Sequence, residues 1–203
     1  MKNNMFDFNV LKFFCVNTRT GKVLRHLPVI WEFSSQCWVK INTDGTVRGY
    51  PGLAACGSIF RGSMREFIGA FCVFLDVQTA LVAEFYGVIY VLEEAQKLGL
   101  TNVLLECDSV LICVSFTVRK NVPLMFRNRW NTCLNYCGKI RFGVTHIFHE
   151  GSVCACKLAN LGFIYRESFN WYNRFPSSLF LKFFMNIDIV YLCIVFVNIR
   201  VLI

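Results

Sequence analysis

Asp44, Glu84 and Asp108 are the residues whose types and placement point most directly to chemistry. The run Asn42-Thr43-Asp44-Gly45 closes an apolar strand, Glu84 lies early in a long helical pattern, and Asp108 ends a second short apolar strand. Acidic residues are scarce, with 13 Asp+Glu against 21 Lys+Arg. Carboxylates gathered from so small a supply suggest a metal site before anything else. At ~4 Å a pair of like charges repels by roughly 4 kcal/mol at an effective dielectric of ~20, and a divalent cation offsets that repulsion. Mg²⁺ is the natural hard ion for all-oxygen ligands, with Mn²⁺ as its substitute. Ions held in this way activate water and steady a leaving oxygen, which is phosphodiester hydrolysis. Each acid also has a local reading: a turn residue at Asp44-Gly45, a good helix former at Glu84, a helix cap at Asp108-Ser109. Residue type alone leaves both readings open.

The elements that must position these acids are legible from periodicity. Trp38 to Asn42 alternates apolar and polar, a half-buried strand. Gly45 to Gly52 holds three glycines and Pro51 and reads as a loop. Ala54 to Arg61 and Glu66 to Leu75 read as two more strands, joined by a hairpin at Arg61-Gly62-Ser63-Met64. Thr79 can cap a helix from Ala80 to about Leu98, with Leu81, Phe85, Val88 and Leu92 on its apolar face and Gly99 beyond its end. Asn102 to Cys107 reads as a strand, Ser109 to about Val118 and Pro123 to Cys137 as helices, Phe142 to His149 as a strand and Cys154 to Leu161 as a helix. The order β-β-β-α-β-α-α-β-α implies an α/β fold: a mixed five-stranded sheet, a three-strand antiparallel meander plus two parallel strands, flanked by helices. Asp44 and Asp108 then both stand at strand carboxyl ends, where open α/β sheets bind ligands. Residues 1–36 read as a linker or the remnant of a preceding domain, 37–163 as the domain, and 164–203 as an apolar tail.

The net charge of +8 favours an acidic partner, nucleic acid or an anionic membrane. Between Ser109 and His149 there is no acidic residue, yet Arg119, Lys120, Arg127, Arg129, Lys139 and Arg141 lie there. With Trp130 among them, the segment reads as a phosphate-tracking surface with a stacking platform, or else as a solvated helix face with a core tryptophan. The 11 cysteines form no CxxC pair and sit within strand and helix patterns, as reduced thiols of an intracellular, nuclear or cytoplasmic, protein would. Cys154-x-Cys156 near His146 and His149 fits no common zinc module. The N-terminus shows no secretory signal. In the apolar run 187–203, the uncharged stretch from Ile189 to Ile199 is shorter than the ~20 residues a spanning helix needs, so no membrane span is expected, with a tail anchor as the lesser alternative.

Five runs in order carry a family likeness. WVKINTDGTVRGYPG from Trp38 to Gly52 resembles the opening strand and glycine loop of type 1 ribonuclease H domains, in the plant branch associated with non-LTR retroelement reverse transcriptases. Ala83-Glu84 resembles that family's helix signature, and Leu105-Glu106-Cys107-Asp108-Ser109 its Glu-Ser-Asp-Ser strand end. Arg127 to Asn131 is similar to a stretch typical of the plant branch. His149-Glu150-Gly151-Ser152 through Asn160 resembles the final motif, usually Arg-Glu-Gly-Asn-x-x-Ala-Asp-x-Leu-Ala. The resemblance implies Mg²⁺-dependent cleavage of the RNA strand of RNA–DNA hybrids, with Asp44, Glu84 and Asp108 as catalytic metal ligands. The fourth family acid falls on Cys156 and the usual Asn on Ser152, and the mobile histidine loop of the bacterial enzymes has no counterpart. A thiol is a poor ligand for Mg²⁺. The expectation is therefore an attenuated nuclease, with a catalytically inactive nucleic-acid-binding module of a decayed retroelement as the alternative. His149 reads as an ordinary strand-end surface histidine.

Overall fold

The computed structural model describes residues 37–118 and 121–174, with the backbone pairing of three two-residue strands, Pro28–Val29, Tyr191–Leu192 and Val201–Leu202. Strands β1 (Val39–Gly49), β2 (Gly52–Arg61) and β3 (Phe67–Gln78) form an antiparallel meander. Helix α1 (Ala80–Lys97) leads into β4 (Asn102–Cys107), followed by α2 (Val110–Ser115), α3 (Arg127–Cys137), β5 (Arg141–His146), α4 (Val153–Tyr165) and β6 (Asn170–Tyr172). β4 lies parallel to β1, and β5 parallel to β4. The sheet order is β6-β3-β2-β1-β4-β5, with Val201–Leu202 outside β5.

The expected five-stranded mixed sheet is present, and two short edge strands extend it. β6 pairs with β3 through Ala70↔Tyr172 and Cys72↔Asn170, past the expected domain boundary at 163. Three residues are too few to show a period in sequence, so the pairing alone defines this strand. A second difference concerns Gly45 to Gly52. This segment is not a loop: β1 runs on to Gly49, and only Tyr50 and Pro51 turn. Gly45 is glycine because a helix crosses it. A Cβ there would stand 2.6 Å from the Glu84 backbone nitrogen and 2.7 Å from the Ala83 carbonyl carbon. The strand read to His149 ends at His146, and the helix read from Pro123 begins at Arg127 after a 3₁₀ turn over Leu124–Phe126.

Helices cover the two sheet faces. Thr79 caps α1, its Oγ1 accepting from the Val82 amide at 3.4 Å, and Phe85, Val88, Ile89 and Leu92 face the sheet. They pack with Phe126 and Trp130 under the residues of β1 and β4 that point that way, Ile41, Val103 and Leu105. On the opposite face, α4 buries Cys154, Leu158 and Leu161 against Ile59, Ala70 and Cys72.

A buried ionic network fixes the register on which the site depends. Lys40 Nζ pairs with Glu106 Oε1 at 2.9 Å, Asn42 donates to Glu106 Oε2 at 2.7 Å, and Arg61 donates to Asn42 Oδ1. A one-residue slip of β1 against β4 would turn Lys40 to the apolar face and leave Glu106 buried and unpaired, which costs several kcal/mol. The observed register sets Thr43 opposite Cys107, and so Asp44 and Asp108 side by side just beyond the last pair.

Candidate metal centre

The parallel pairing of β1 and β4 stops at Thr43↔Cys107, while β1 continues along β2. This leaves a notch beside Asp44, and functional side chains enter it from four directions. Asp44 comes from β1 and Asp108 from the residue after β4. Glu84 comes from α1, whose backbone seats on Gly45. Its carboxylate accepts a hydrogen bond from the Gly45 amide. Cys156 comes from α4. That helix approaches on the far face because Gly57, the residue paired with Asp44, leaves room: a Cβ on Gly57 would stand 2.2 Å from the Ala159 nitrogen. Two glycines thus bring two helices to one aspartate from opposite sides of the sheet.

Of the three acids expected to meet, Asp44 and Asp108 come together in one tight group, while Glu84 stands near enough to feel both charges but lies outside that group. Asp44 is 2% exposed. Burial, followed by the neighbouring Asp108 carboxylate, pushes its pKa up to about 7, while His149 and the Cys156 thiol pull the other way. Glu84 is held well above the usual carboxylate range by burial, with Asp108 and Asp44 adding to it. The oxygens Asp44 Oδ2 and Glu84 Oε2 are buried and have no hydrogen-bond partner among the described residues. Buried carboxylate oxygens without a donor call for a proton or a cation. These donors are hard, anionic oxygens in a notch open at the sheet end, and they fit a divalent metal.

His149, which sequence reasoning assigned to ordinary surface, belongs to the cluster. Its Nδ1 lies 2.9 Å from Asp108 Oδ2 and 3.8 Å from Asp44 Oδ1. Ligand atoms of Asp44, Asp108 and His149 all lie within 4.8 Å of one another. The hydrogen bond to Asp108 raises the His149 pKa above its ordinary value, against a smaller opposing effect of burial. The one-turn segment His149–Ser152 places the ring, and Ser152 Oγ anchors that turn to the Thr43 carbonyl at 3.4 Å. His146, at the end of β5, contacts the Asp108 carbonyl oxygen at 3.0 Å. Cys156 touches Asp44 but stays outside the tight triad. Burial and then the Asp44 charge push its thiol up to about 11, so it is neutral at pH 7.

The basic segment divides. Arg119 and Lys120 lie outside the described residues. Arg127 is exposed. Arg129 is engaged: it donates to both Glu93 oxygens at 2.9 and 2.8 Å and lies 5.0 Å over the Tyr90 ring. Trp130 offers no stacking face. It is 1% exposed and packs edge-on to Phe85 at 5.3 Å, with Phe116 at 4.8 Å. Phe126, Trp130, Cys133 and Cys137 fall at helical spacing on the buried side of α3 and the turn before it, which overrides the reading of Trp130 from its basic neighbours. The apolar run 187–203 lies outside the described residues except for its short strand pairs, and no helix of the described residues is long and apolar enough to cross a membrane.

Residues 42–162, which contain every member of this cluster, match the reverse transcriptase-like family. The chain belongs to this family. It is 33% identical over 155 residues to an Arabidopsis thaliana protein described as "putative ribonuclease H protein", an alignment covering 73% of this chain and 24% of that one. The chain therefore spans about a quarter of the length of that curated relative. Among solved structures, ribonuclease H1 of Halobacterium salinarum superposes with a TM-score of 0.56 at 24% identity, over 63% of this chain and 98% of that one. LC11 ribonuclease H1, solved in complex with an RNA/DNA hybrid, gives 0.54 at 24% identity, over 61% of this chain and 94% of that one. At this identity both speak for the fold alone. This ribonuclease H domain thus has a plant relative, in keeping with the branch its motifs resemble.

Proposed function

We propose that this chain is a ribonuclease H-type nuclease that binds RNA–DNA hybrids and hydrolyses their RNA strand. In this reading Asp44, Glu84 and Asp108 are the catalytic metal ligands, and Mg²⁺ or Mn²⁺ is the cofactor. The observation that carries it is the pair of buried oxygens on Asp44 and Glu84, without a partner among the described residues, on carboxylates that feel the charge of Asp108 at a notch of this fold. A bound divalent cation would supply charge neutralisation at the phosphate and a more acidic water. The chain's own part is to hold three carboxylates close against their repulsion, through the β1–β4 register and the seating of α1 on Gly45. The exposed Arg127, with Arg119 and Lys120, is proposed to meet the phosphate backbone, and Arg129 to contribute once its pair with Glu93 opens. A partner in LC11 ribonuclease H1, as its description states, is an RNA/DNA hybrid, and the shared fold supports the same partner class here.

Cys156 stands where the family's fourth acid falls. A neutral thiol there supplies neither charge nor a hard oxygen, which favours low activity. In the limit it favours the second reading, a binding module without turnover. The test is incubation of the full chain with an RNA–DNA hybrid labelled on the RNA strand, beside single-stranded RNA and a DNA duplex. Metal-dependent loss of the RNA strand of the hybrid alone, absent in Asp44→Asn, supports the nuclease. Binding of the hybrid without cleavage under either metal supports the module.

A further inference from the structure

We propose that His149 is a metal ligand, so that Asp44, Asp108 and His149 form a mixed nitrogen and oxygen site that accepts a borderline transition ion, Zn²⁺ as the probe, beside the hard ions its carboxylates accept. The inference rests on the proposed metal function and adds a nitrogen donor to that site, and with it a wider range of ions. His149 Nδ1, Asp108 Oδ2 and Asp44 Oδ1 are already gathered, with the two nitrogen–oxygen distances at 2.9 and 3.8 Å. Ligand atoms bound ~2.1 Å from one ion stand ~3 to 3.5 Å apart, so closure needs only small side-chain movements. Asp44, 2% exposed, turns Oδ1 to His149, and its Oδ2 is buried with no donor among the described residues. Glu84 Oε2 is a second buried oxygen without a partner beside it.

The donor chemistry sets the preference. Carboxylates suit Mg²⁺ and Mn²⁺, whereas imidazole nitrogen suits Zn²⁺ and other late transition ions. Ligation would use the Nδ1 lone pair, the ring keeping its proton on Nε2 and giving the Nδ1 proton to solvent. Cys156, in contact with Asp44, stands at the edge of the same cluster as a soft donor. Both places where this chain departs from a purely carboxylate site move it in one direction, toward softer ions. Zn²⁺ binds most sites more tightly than Mg²⁺, so the absolute preference decides nothing. The informative quantity is how much of each affinity depends on His149.

The experiment measures Zn²⁺ binding by competition with a chromogenic chelator and Mg²⁺ binding by calorimetry, on the full chain, for wild type, His149→Ala and Asp44→Asn. Asp44→Asn should weaken both ions. His149→Ala should weaken Zn²⁺ by ~10–100-fold, as the loss of a metal-supporting group does, and change Mg²⁺ by less than about 3-fold. As a measurement on the unaltered chain, the His149 ring ¹⁵Nδ1 resonance should shift on adding Zn²⁺ and not on adding Mg²⁺. Equal losses of both ions in His149→Ala would make His149 a group that merely positions Asp108, and an unshifted Nδ1 resonance would remove it from the ion altogether. Either result overturns the inference while leaving the nuclease reading standing. A wild-type chain that binds neither ion overturns both.

Discussion

Replacing Asp44 by Asn should stabilise the metal-free protein at alkaline pH while destroying its metal response. The Asp44 carboxyl has an ordinary pKa of 3.8 and is pushed up to about 7 in the folded chain, by burial first and by Asp108 second. A raised carboxyl pKa means the folded state holds the proton more tightly than the unfolded state. Folding therefore costs nothing extra below about pH 4, loses stability as pH rises from 3.8 to about 7, and carries the full penalty above that. A shift of about three units at ~1.4 kcal/mol each gives a penalty on the order of 4 kcal/mol. The side chain is 2% exposed, so solvent screening removes little of it, although His149 offsets part when protonated. The Asn amide mimics the protonated acid and carries no such penalty. Urea unfolding in a chelator, run from pH 4 to 8.5, should show wild type and Asp44→Asn converging at the acid end. At the alkaline end the variant should be more stable by ~2–4 kcal/mol. Adding a divalent cation should raise the stability of wild type and leave the variant unmoved. A difference between the two proteins that stays constant with pH, or a variant less stable at pH 8, would refute the electrostatic account of the notch.

Gly45→Ala should lose ~1–3 kcal/mol of stability in thermal unfolding, and its divalent-cation response with it. The new Cβ meets the α1 backbone at 2.6 Å and must push Glu84 out of the notch. Trp130→Ala should cost ~3–5 kcal/mol in urea unfolding as an aromatic core truncation, and leave the salt dependence of hybrid binding by the remaining folded protein unchanged. Arg127→Ala should reduce the slope of log affinity against log salt by about one, read by fluorescence anisotropy on a labelled hybrid. An unaltered slope would assign Arg127 to ordinary surface.

Much of the architecture was legible because it rests on local signals. The Thr79 cap, the apolar face of α1 and the alternation of β1 each follow from period and capping chemistry. Asp44 and Asp108 were readable as site residues because each follows an apolar strand pattern, although Asp44 lies within β1, which runs on to Gly49, and not at the strand end the sequence suggested. What was not legible depends on distant contacts. Gly45 signals a turn in sequence, but its role is to let Glu84's helix cross a strand, and no local pattern distinguishes the two uses. Trp130 was drawn toward the surface by its arginine neighbours, although its spacing from Phe126 and Cys133 already marked the buried side of the helix. His149 carries no motif of its own. Its importance appears only when β4 and β5 end side by side and bring it against Asp108. β6 is too short to carry a period, and its pairing with β3 is what defines it.

The central claim is that this notch is a ribonuclease H centre weakened at Cys156. Its most direct test is the single-turnover rate of RNA-strand cleavage in an RNA–DNA hybrid, for wild type, Asp108→Asn and Cys156→Asp, with Mg²⁺ and with Mn²⁺. Wild type should cleave slowly and first with Mn²⁺, and Asp108→Asn should not cleave. Cys156→Asp, by restoring an oxygen ligand beside Asp44, should gain on the order of 10–100-fold, most clearly with Mg²⁺. A folded Cys156→Asp protein that cleaves no faster than wild type with either ion would contradict the account.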